Sequence, residues 1–272
     1  MDSQLDKTIA IVGGGTMGSA IAAGLASTGT VAASRVLVAD HHAQKRDRLA
    51  IQGIRTFADP AQMAQANPDV VVLAVKPQVL APTVRALADL LAGRLVVSIA
   101  AGVTLEVLEA LMPGSRVVRA MPNLPVRALS GATVLCLGSS ATPEDGALAQ
   151  ALFACLGCAF PMREDQLDAE GAVVSCGPAY LALFVDLLVR AGVEQGLPAQ
   201  ACRTMVLTTM RGVARDLLDS GDHPRAYMEG VTSPGGTTAK GLRAMEGGLM
   251  EAVEAGVDAA LARTAQLAGR ED

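Results

Sequence analysis

Residues 7–12 form a short, β-branched apolar run that stops at a glycine cluster, and residues 17–26 then carry small apolar side chains at helical spacing. The pattern predicts strand, turn and helix. Near-continuous Val/Ile/Leu runs at 35–40, 69–75, 94–100, 116–120 and 131–137 read as further strands, with a brief one near 54–57. Helical stretches at 43–50 and 82–91 lie between them. Strands apolar on both faces that alternate with helices point to a parallel sheet covered on both sides. Thr142-Pro143-Glu144-Asp145 starts a helix, with a hydroxyl N-cap, Pro at the first position and acids in the first turn. After a strand-like piece at 158–162, helical periodicity continues through the rest of the chain, broken at Gly177-Pro178, 196–198, 221–224 and 233–236. The expected architecture is α/β, a doubly wound sheet over 1–162, followed by an all-helical part over 163–272.

The 272 residues carry 22 Lys+Arg against 27 Asp+Glu, a net charge of −5, with 2% aromatics and no Trp. An acidic, aromatic-poor chain argues against nucleic acid and against recognition by stacking. A mean hydropathy of +0.37 raises the question of a membrane. No uninterrupted apolar run reaches the ~18 residues of a span: 69–75 ends at Lys76 and 179–185 at Asp186. The first residues lack a signal's basic start and apolar stretch, and five scattered cysteines do not make a disulfide framework. The expectation is a cytoplasmic, reduced protein that engages no membrane. Residues 179–189 are apolar over most of a helix circumference, which calls for a homodimer partner.

Gly13-Gly14-Gly15-Thr16-Met17-Gly18 holds G-x-G-x-x-G at 13, 15 and 18, directly after a strand and opening a helix. Gly13 allows the tight turn, Gly15 lets backbone N–H groups approach a pyrophosphate, Gly18 permits close helix–strand packing, and the helix N-terminus stabilises the anion. The fingerprint also wants an acid at the end of the second strand for the adenosine ribose. Asp40 occupies that place and favours NAD, yet His41, His42, Lys45 and Arg46 follow at once and suit a 2′-phosphate, so NADPH and NADH both stay open.

In open α/β sheets the ligand lies across the carboxyl ends of the strands. Ala74-Val75-Lys76-Pro77 closes one strand and places Lys76 for ribose or phosphate. The small residues Ala100-Ala101-Gly102 close another and admit a flat nicotinamide, and Asn123 stands between Pro122 and Pro125 at a third. Farther on, Thr232-Ser233-Pro234-Gly235-Gly236-Thr237-Thr238 combines caps, two glycines and hydroxyls at a helix start, a construction suited to a carboxylate without a basic side chain. Cys155-x-x-Cys158 has neither a second pair nor a nearby His, so no metal site is expected.

Taken together, these motifs resemble the pyrroline-5-carboxylate reductase family, through the glycine loop, Val75-Lys76-Pro77-Gln78, residues 98–104, Arg119-Ala120-Met121-Pro122-Asn123, Gly177-Pro178-Ala179-Tyr180 and residues 232–238. The resemblance implies a Rossmann-type NAD(P)-binding domain and a helical dimerisation and substrate domain, often assembled as decamers. It implies hydride transfer from NADPH or NADH to a cyclic imino carboxylate, the last step of proline biosynthesis. Ser233, Gly236, Thr237 and Thr238 then surround the substrate carboxylate and ring nitrogen, with Thr238 as the catalytic residue. The chain departs from the family pattern at Leu124, at Val174 to Cys176 and at Asp40. A reductase of another cyclic imine or of a β-hydroxy acid shares the same plan, and a nucleotide-sensing protein without catalysis is the reading from another class.

Overall fold

Eight short strands build the sheet of the computed structural model: β1 Ile9–Val12, β2 Val36–Ala39, β3 Arg55–Phe57, β4 Val70–Leu73, β5 Leu95–Ser98, β6 Arg116–Pro122, β7 Gly131–Leu137 and β8 Gly157–Pro161. Their order is β3-β2-β1-β4-β5-β6-β7-β8. The structure describes residues 4–267. It divides into two compact units, one reaching Cys176 and including the chain from Leu261, the other Gly177–Ala260.

Parallel pairing holds for every neighbouring pair except β6 and β7, which are antiparallel. The sheet is otherwise the parallel one the pattern predicts, and the connection explains this one antiparallel pair. Residues 123–130 hold only the 3-10 turn Leu124–Ala128, closed by Leu129 in the left-handed region at φ 53°, whereas a parallel crossover needs a dozen residues or more. The strand order reverses around β1, between β2 and β4, and this opens a crevice at the carboxyl ends of those strands.

The two faces of the sheet are packed separately. Ile9, Ile11, Val36, Val38, Val70 and Val72 face a cluster with Ile21, Leu25, Leu152 and Phe153. Their sequence neighbours Ala10, Leu37, Val71 and Leu73 face the other, with Leu80, Val84 and Leu108. Strand side chains alternate between faces, so a strand apolar at every position belongs in the middle of a three-layer stack.

The covering helices are α1 Thr16–Ser27, α2 Ala43–Ala50, α3 Pro77–Ala86, α4 Ala88–Leu91, α5 Leu105–Leu111 and α6 Pro143–Ala154. The helix expected at 82–91 begins earlier, with Pro77 preset at its first turn, and divides at Leu87. Helix α5 was not anticipated. Thr104 caps it by accepting from the Val107 N–H at 3.4 Å. The start of α6 is the capping box its residues suggest: Thr142 Oγ1 accepts from the Asp145 N–H at 3.2 Å and Asp145 Oδ2 from the Thr142 N–H at 3.0 Å. Next come α7 Glu164–Glu170 and a π-helical turn, Gly171–Ser175.

The remaining helices are α8 Gly177–Glu194, α9 Ala199–Ser220, α10 Pro224–Gly230 and α11 Thr237–Leu267. Val185, Val189 and Cys202 are buried between α8 and α9, with Val206 and Met210 packed against them. That core is small, and Leu181, Leu183 and Leu187 of α8 and Met250 and Val253 of α11 are exposed. The run Glu164–Glu194 is also long and apolar enough, by length and composition, to cross a membrane. Asp186 falls inside this run, so it holds no uninterrupted apolar stretch of that length.

Candidate active site

The Gly13 N–H donates to the Ala39 carbonyl at 2.8 Å, and the Ala74 N–H donates to the Val12 carbonyl at 2.9 Å. These bonds set the glycine loop over the ends of β1, β2 and β4. Gly13 has φ +107°, and a Cβ there would lie 2.5 Å from the Ala74 carbonyl oxygen. Gly15 differs: nothing lies within 4 Å of its Cβ position, and no side chain caps α1 behind it. The first-turn N–H groups of a helix lack intrahelical partners, so an uncapped start beside open space fits a dinucleotide pyrophosphate. Thr16 is exposed and Met17 half-buried beside it.

Asp40 is buried at the end of β2. Its Oδ2 accepts from the Gly14 N–H at 3.0 Å and from Lys45 Nζ at 3.0 Å, while its Oδ1 accepts from the His42 N–H at 2.9 Å and lies 2.9 Å from His42 Nδ1. An ionised carboxylate offers about four acceptor positions, and all four are engaged. Burial pushes this acid up, but the hydrogen bonds from the His42 N–H, the His42 ring and Lys45 outweigh it, and its pKa falls to about 2. The lowered value stabilises the fold above the ordinary carboxylate pKa, and that stability is lost as pH falls through about 2. Asp40→Asn is therefore expected to cost about 2 kcal/mol at pH 7 and to flatten the acid limb between pH 4 and 2, as read by urea unfolding across pH.

Asp40, His41 and His42 bring possible ligand atoms within 4.8 Å of one another, a grouping not foreseen when no metal set was expected. With its carboxylate saturated, Asp40 has no lone pair left to offer an ion. A groove of about 750 Å³ runs outward from Gly15 and Thr16 between α1 and α2, and Lys45, Arg48 and Arg127 line it. It meets the expected cofactor residues only at that end, and the rest of them lie along the strand ends.

At those ends Ala74 and Val75 are half-buried, and Lys76 and Pro77 are exposed. After β5, Ala100 is buried, Ala101 exposed and Gly102 left-handed at φ +73°. Asn123 is buried, and its amide is committed: Oδ1 accepts from the Ala132 N–H at 2.9 Å and Nδ2 donates to the Val174 carbonyl at 3.1 Å. It braces β6 against β7 and the π-helical turn. Two acids below this end were missed. Glu164 accepts from Arg119 Nη1 at 2.8 Å and from the Leu105 N–H at 2.6 Å. Glu170 is buried and, among the described residues, accepts only from the Ser175 hydroxyl, at 3.2 Å and 3.5 Å. Its signal was an acid placed two residues before the apolar stretch 172–174, after Asp168.

In the second unit the turn before α11 is tight. Gly235 has φ +68°, the Gly236 N–H donates to the Ser233 carbonyl at 3.0 Å, and a Cβ on Gly236 would lie 2.3 Å from Ser233 Oγ. Ser233, Thr237 and Thr238 are exposed at the start of α11. Thr232 was a possible cap for α11. Its hydroxyl instead donates back to the Met228 carbonyl at 2.6 Å.

A glycine loop at the switch point of a doubly wound sheet, with a hydroxyl-rich helix start in a separate helical unit, defines a dinucleotide-dependent oxidoreductase. Residues 164–267 match the family model for pyrroline-5-carboxylate reductase dimerisation and residues 8–102 that for NADP oxidoreductase, coenzyme F420-dependent. The chain is 35% identical over 261 residues to a pyrroline-5-carboxylate reductase of Synechocystis, covering 95% of this chain and 97% of that one. It is 37% identical over 285 residues to one of Mycobacterium tuberculosis, covering 95% and 96%. This chain belongs to the pyrroline-5-carboxylate reductase family. Among solved structures, that of the Coxiella burnetii enzyme superposes with a TM-score of 0.91 at 33% identity, covering 97% of this chain and 99% of the other. A Plasmodium falciparum pyrroline carboxylate reductase with NADP bound gives 0.85 at 25% identity, covering 98% and 100%.

Proposed function

We infer that this chain reduces 1-pyrroline-5-carboxylate to L-proline with NADPH or NADH, the last step of proline biosynthesis. The observation that carries the reading is similarity to reductases of that name along nearly the whole chain, which takes in both the glycine loop and the 232–238 turn. NAD(P)H supplies a hydride when bound, and the protein supplies orientation. The start of α1 holds the pyrophosphate, the small residues 100–102 let the nicotinamide lie against backbone, and Lys76 meets ribose or phosphate. Asn123 acts by holding the end of β6 in place. In the turn before α11, Ser233 and the N–H groups of Gly236, Thr237 and Thr238 hold the substrate carboxylate. The Thr238 hydroxyl hydrogen-bonds the ring nitrogen and hands on its proton.

A cyclic imine is basic enough to arrive partly protonated, so the site does without a strong acid. Thr238→Ala is expected to lower kcat/KM for the imine by about 1–3 kcal/mol in the barrier, with cofactor affinity unchanged. Wild-type kinetics in the folded variant would remove Thr238 from the mechanism. The reading as a whole is tested by NADPH and NADH oxidation with and without pyrroline-5-carboxylate. Absence of turnover with both sinks it, and the ratio between them decides the cofactor. A nucleotide sensor would have no need of the hydroxyl-rich turn, which favours the enzyme.

The exposed apolar faces of α8 and α11 are the surface a second copy covers, so the working form is a homodimer, assembled further into decamers. The same covering accounts for the apolar run Glu164–Glu194 in a cytoplasmic protein that binds neither membrane nor nucleic acid. We place the division of labour at 162/163, cofactor domain before and dimerisation and substrate domain after.

A further inference from the structure

We propose that Asp40 does not read the adenosine ribose but holds Lys45, Arg46 and His42 as a cradle for a 2′-phosphate, so that this chain takes NADPH in preference to NADH. The proposal rests on the functional reading above and names the cofactor of that same site.

An acid at the end of the second strand ordinarily accepts from the ribose 2′-hydroxyl and selects NADH, whereas an arginine nearby accommodates the 2′-phosphate. Both kinds of residue stand here, and the hydrogen bonds decide between them. The Asp40 side chain is 7% exposed. Two of its four bonds come from the backbone N–H groups of Gly14 and His42, which cannot swing aside. The other two come from Lys45 Nζ and the His42 ring. A ribose hydroxyl reaches the carboxylate only by displacing one of these, and displacing Lys45 takes an ammonium from its carboxylate in exchange for a neutral donor.

A phosphate leaves every one of those bonds in place. Arg46 is tethered to the same residue, its Nη1 donating to the Asp40 main-chain carbonyl at 2.8 Å, so three basic side chains hang from one aspartate. Each keeps capacity beyond that tether. An ammonium has three donors and a guanidinium five, and Asp40 takes one from each. His42 meets Asp40 through Nδ1, which leaves Nε2 on the other side of an exposed ring, and the His41 ring packs against it at 3.9 Å between centroids. One carboxylate against Lys45 and Arg46 leaves positive charge in surplus, and a phosphate monoester at neutral pH carries about −1.5 to −2.

The surroundings favour the same ligand. Lys45 also faces the groove that starts at Gly15 and Thr16, where the pyrophosphate is held in the reading above. Among the described residues no carboxylate lines that groove, and Arg48, one turn along α2 from Lys45, adds another cation to it. The step is one of binding alone, with no bond made or broken.

The test is isothermal titration of the full-length protein with NADPH and NADH, and with 2′,5′-ADP and 5′-AMP, which carry the adenosine ribose with and without the 2′-phosphate. Wild type is expected to bind NADPH and 2′,5′-ADP at least about tenfold more tightly than their counterparts, the scale of one hydrogen bond to a charged group. Raising salt from 50 to 300 mM narrows both gaps. Lys45→Ala and Arg46→Ala each lower NADPH affinity about tenfold and leave NADH affinity no weaker, with thermal unfolding confirming that the variants are folded. If Arg46→Ala does not fold, Lys45→Ala decides alone, since that side chain is 38% exposed. Asp40→Asn leaves NADH affinity unchanged if Asp40 does not touch the ribose. Equal or tighter binding of NADH by wild type overturns the proposal, as does 2′,5′-ADP binding no better than 5′-AMP, or an Asp40→Asn variant that loses NADH. A protein that binds NADPH in this way without reducing pyrroline-5-carboxylate overturns the functional reading and leaves the 2′-phosphate cradle standing.

Discussion

Gly18→Ala lowers kcat/KM for the dinucleotide by more than about 100-fold and destabilises the fold. A methyl group at this position would lie 1.9 Å from the Gly13 carbonyl oxygen and 3.0 Å from the Ala74 Cβ. One of these neighbours is backbone and cannot rotate away. Either α1 slides outward or the turn at Gly13 opens, and each moves the anion-facing N–H groups by an ångström or more. A displacement of that size in a positioned site is worth about two orders of magnitude. Gly15→Ala is the informative contrast, because Gly15 has an ordinary φ of −70° and open space around it. Its methyl group disturbs nothing in the protein and occupies the volume the pyrophosphate needs. Thermal unfolding should therefore leave Gly15→Ala at the wild-type Tm and lower that of Gly18→Ala, while both lose dinucleotide affinity in fluorescence titration. Wild-type affinity in Gly15→Ala would mean that no anion rests there.

The contrast between these two glycines shows what was legible in the chain. The motif marks both, and the local pattern of strand, turn and helix makes their context readable without coordinates. The motif also assigns Gly15 to the ligand and Gly18 to packing; what it does not give is how tightly Gly18 is held, which depends on the turn at Gly13 and on Ala74 beyond the end of β4. The same division runs through the rest of the molecule. Strand positions from β1 to β7 follow from apolar runs, since each such run is a local property. The reversal at β6 and β7 does not, because it follows from connection length and from Leu129 accepting φ 53°. Helix α5 was hidden because Thr104 lies in a stretch that also reads as a ligand loop. Asp40 was visible as an acid at a strand end, but the saturation of its four acceptor positions depends on the conformation of residues 41–45. Glu170 was passed over because it closes an acid-rich segment with Glu164, Asp165 and Asp168, which reads as the polar face of a helix until its burial is known.

Removing the Glu164 carboxylate is expected to destabilise the first unit by about 3 kcal/mol, more than replacing the arginine it serves. Arg119 is 1% exposed and among the largest fully buried side chains. Its Nη1 donates to Glu164 at 2.8 Å, and its Nη2 lies 3.6 Å from Asp168. Among the described residues, Nε and Nη2 find no hydrogen-bond partner. A guanidinium held so deeply depends on one short ion pair for most of its solvation, and breaking a buried pair from one side leaves the other charge stranded, at about 3–5 kcal/mol. The lower end applies here, since the Glu164 side chain is 33% exposed and water reaches it. Glu164→Ala also frees the Leu105 N–H at the first residue of α5, so the loop 100–104 loses its anchor. Arg119→Met removes the charge and the unpaired donors together and keeps an apolar body against Cys136, on the neighbouring strand. Urea unfolding at fixed protein concentration and pH 7 should accordingly rank the proteins wild type, Arg119→Met, Glu164→Ala, from most to least stable. The opposite order of the two variants would show that the carboxylate is dispensable and that Asp168 alone carries the pair.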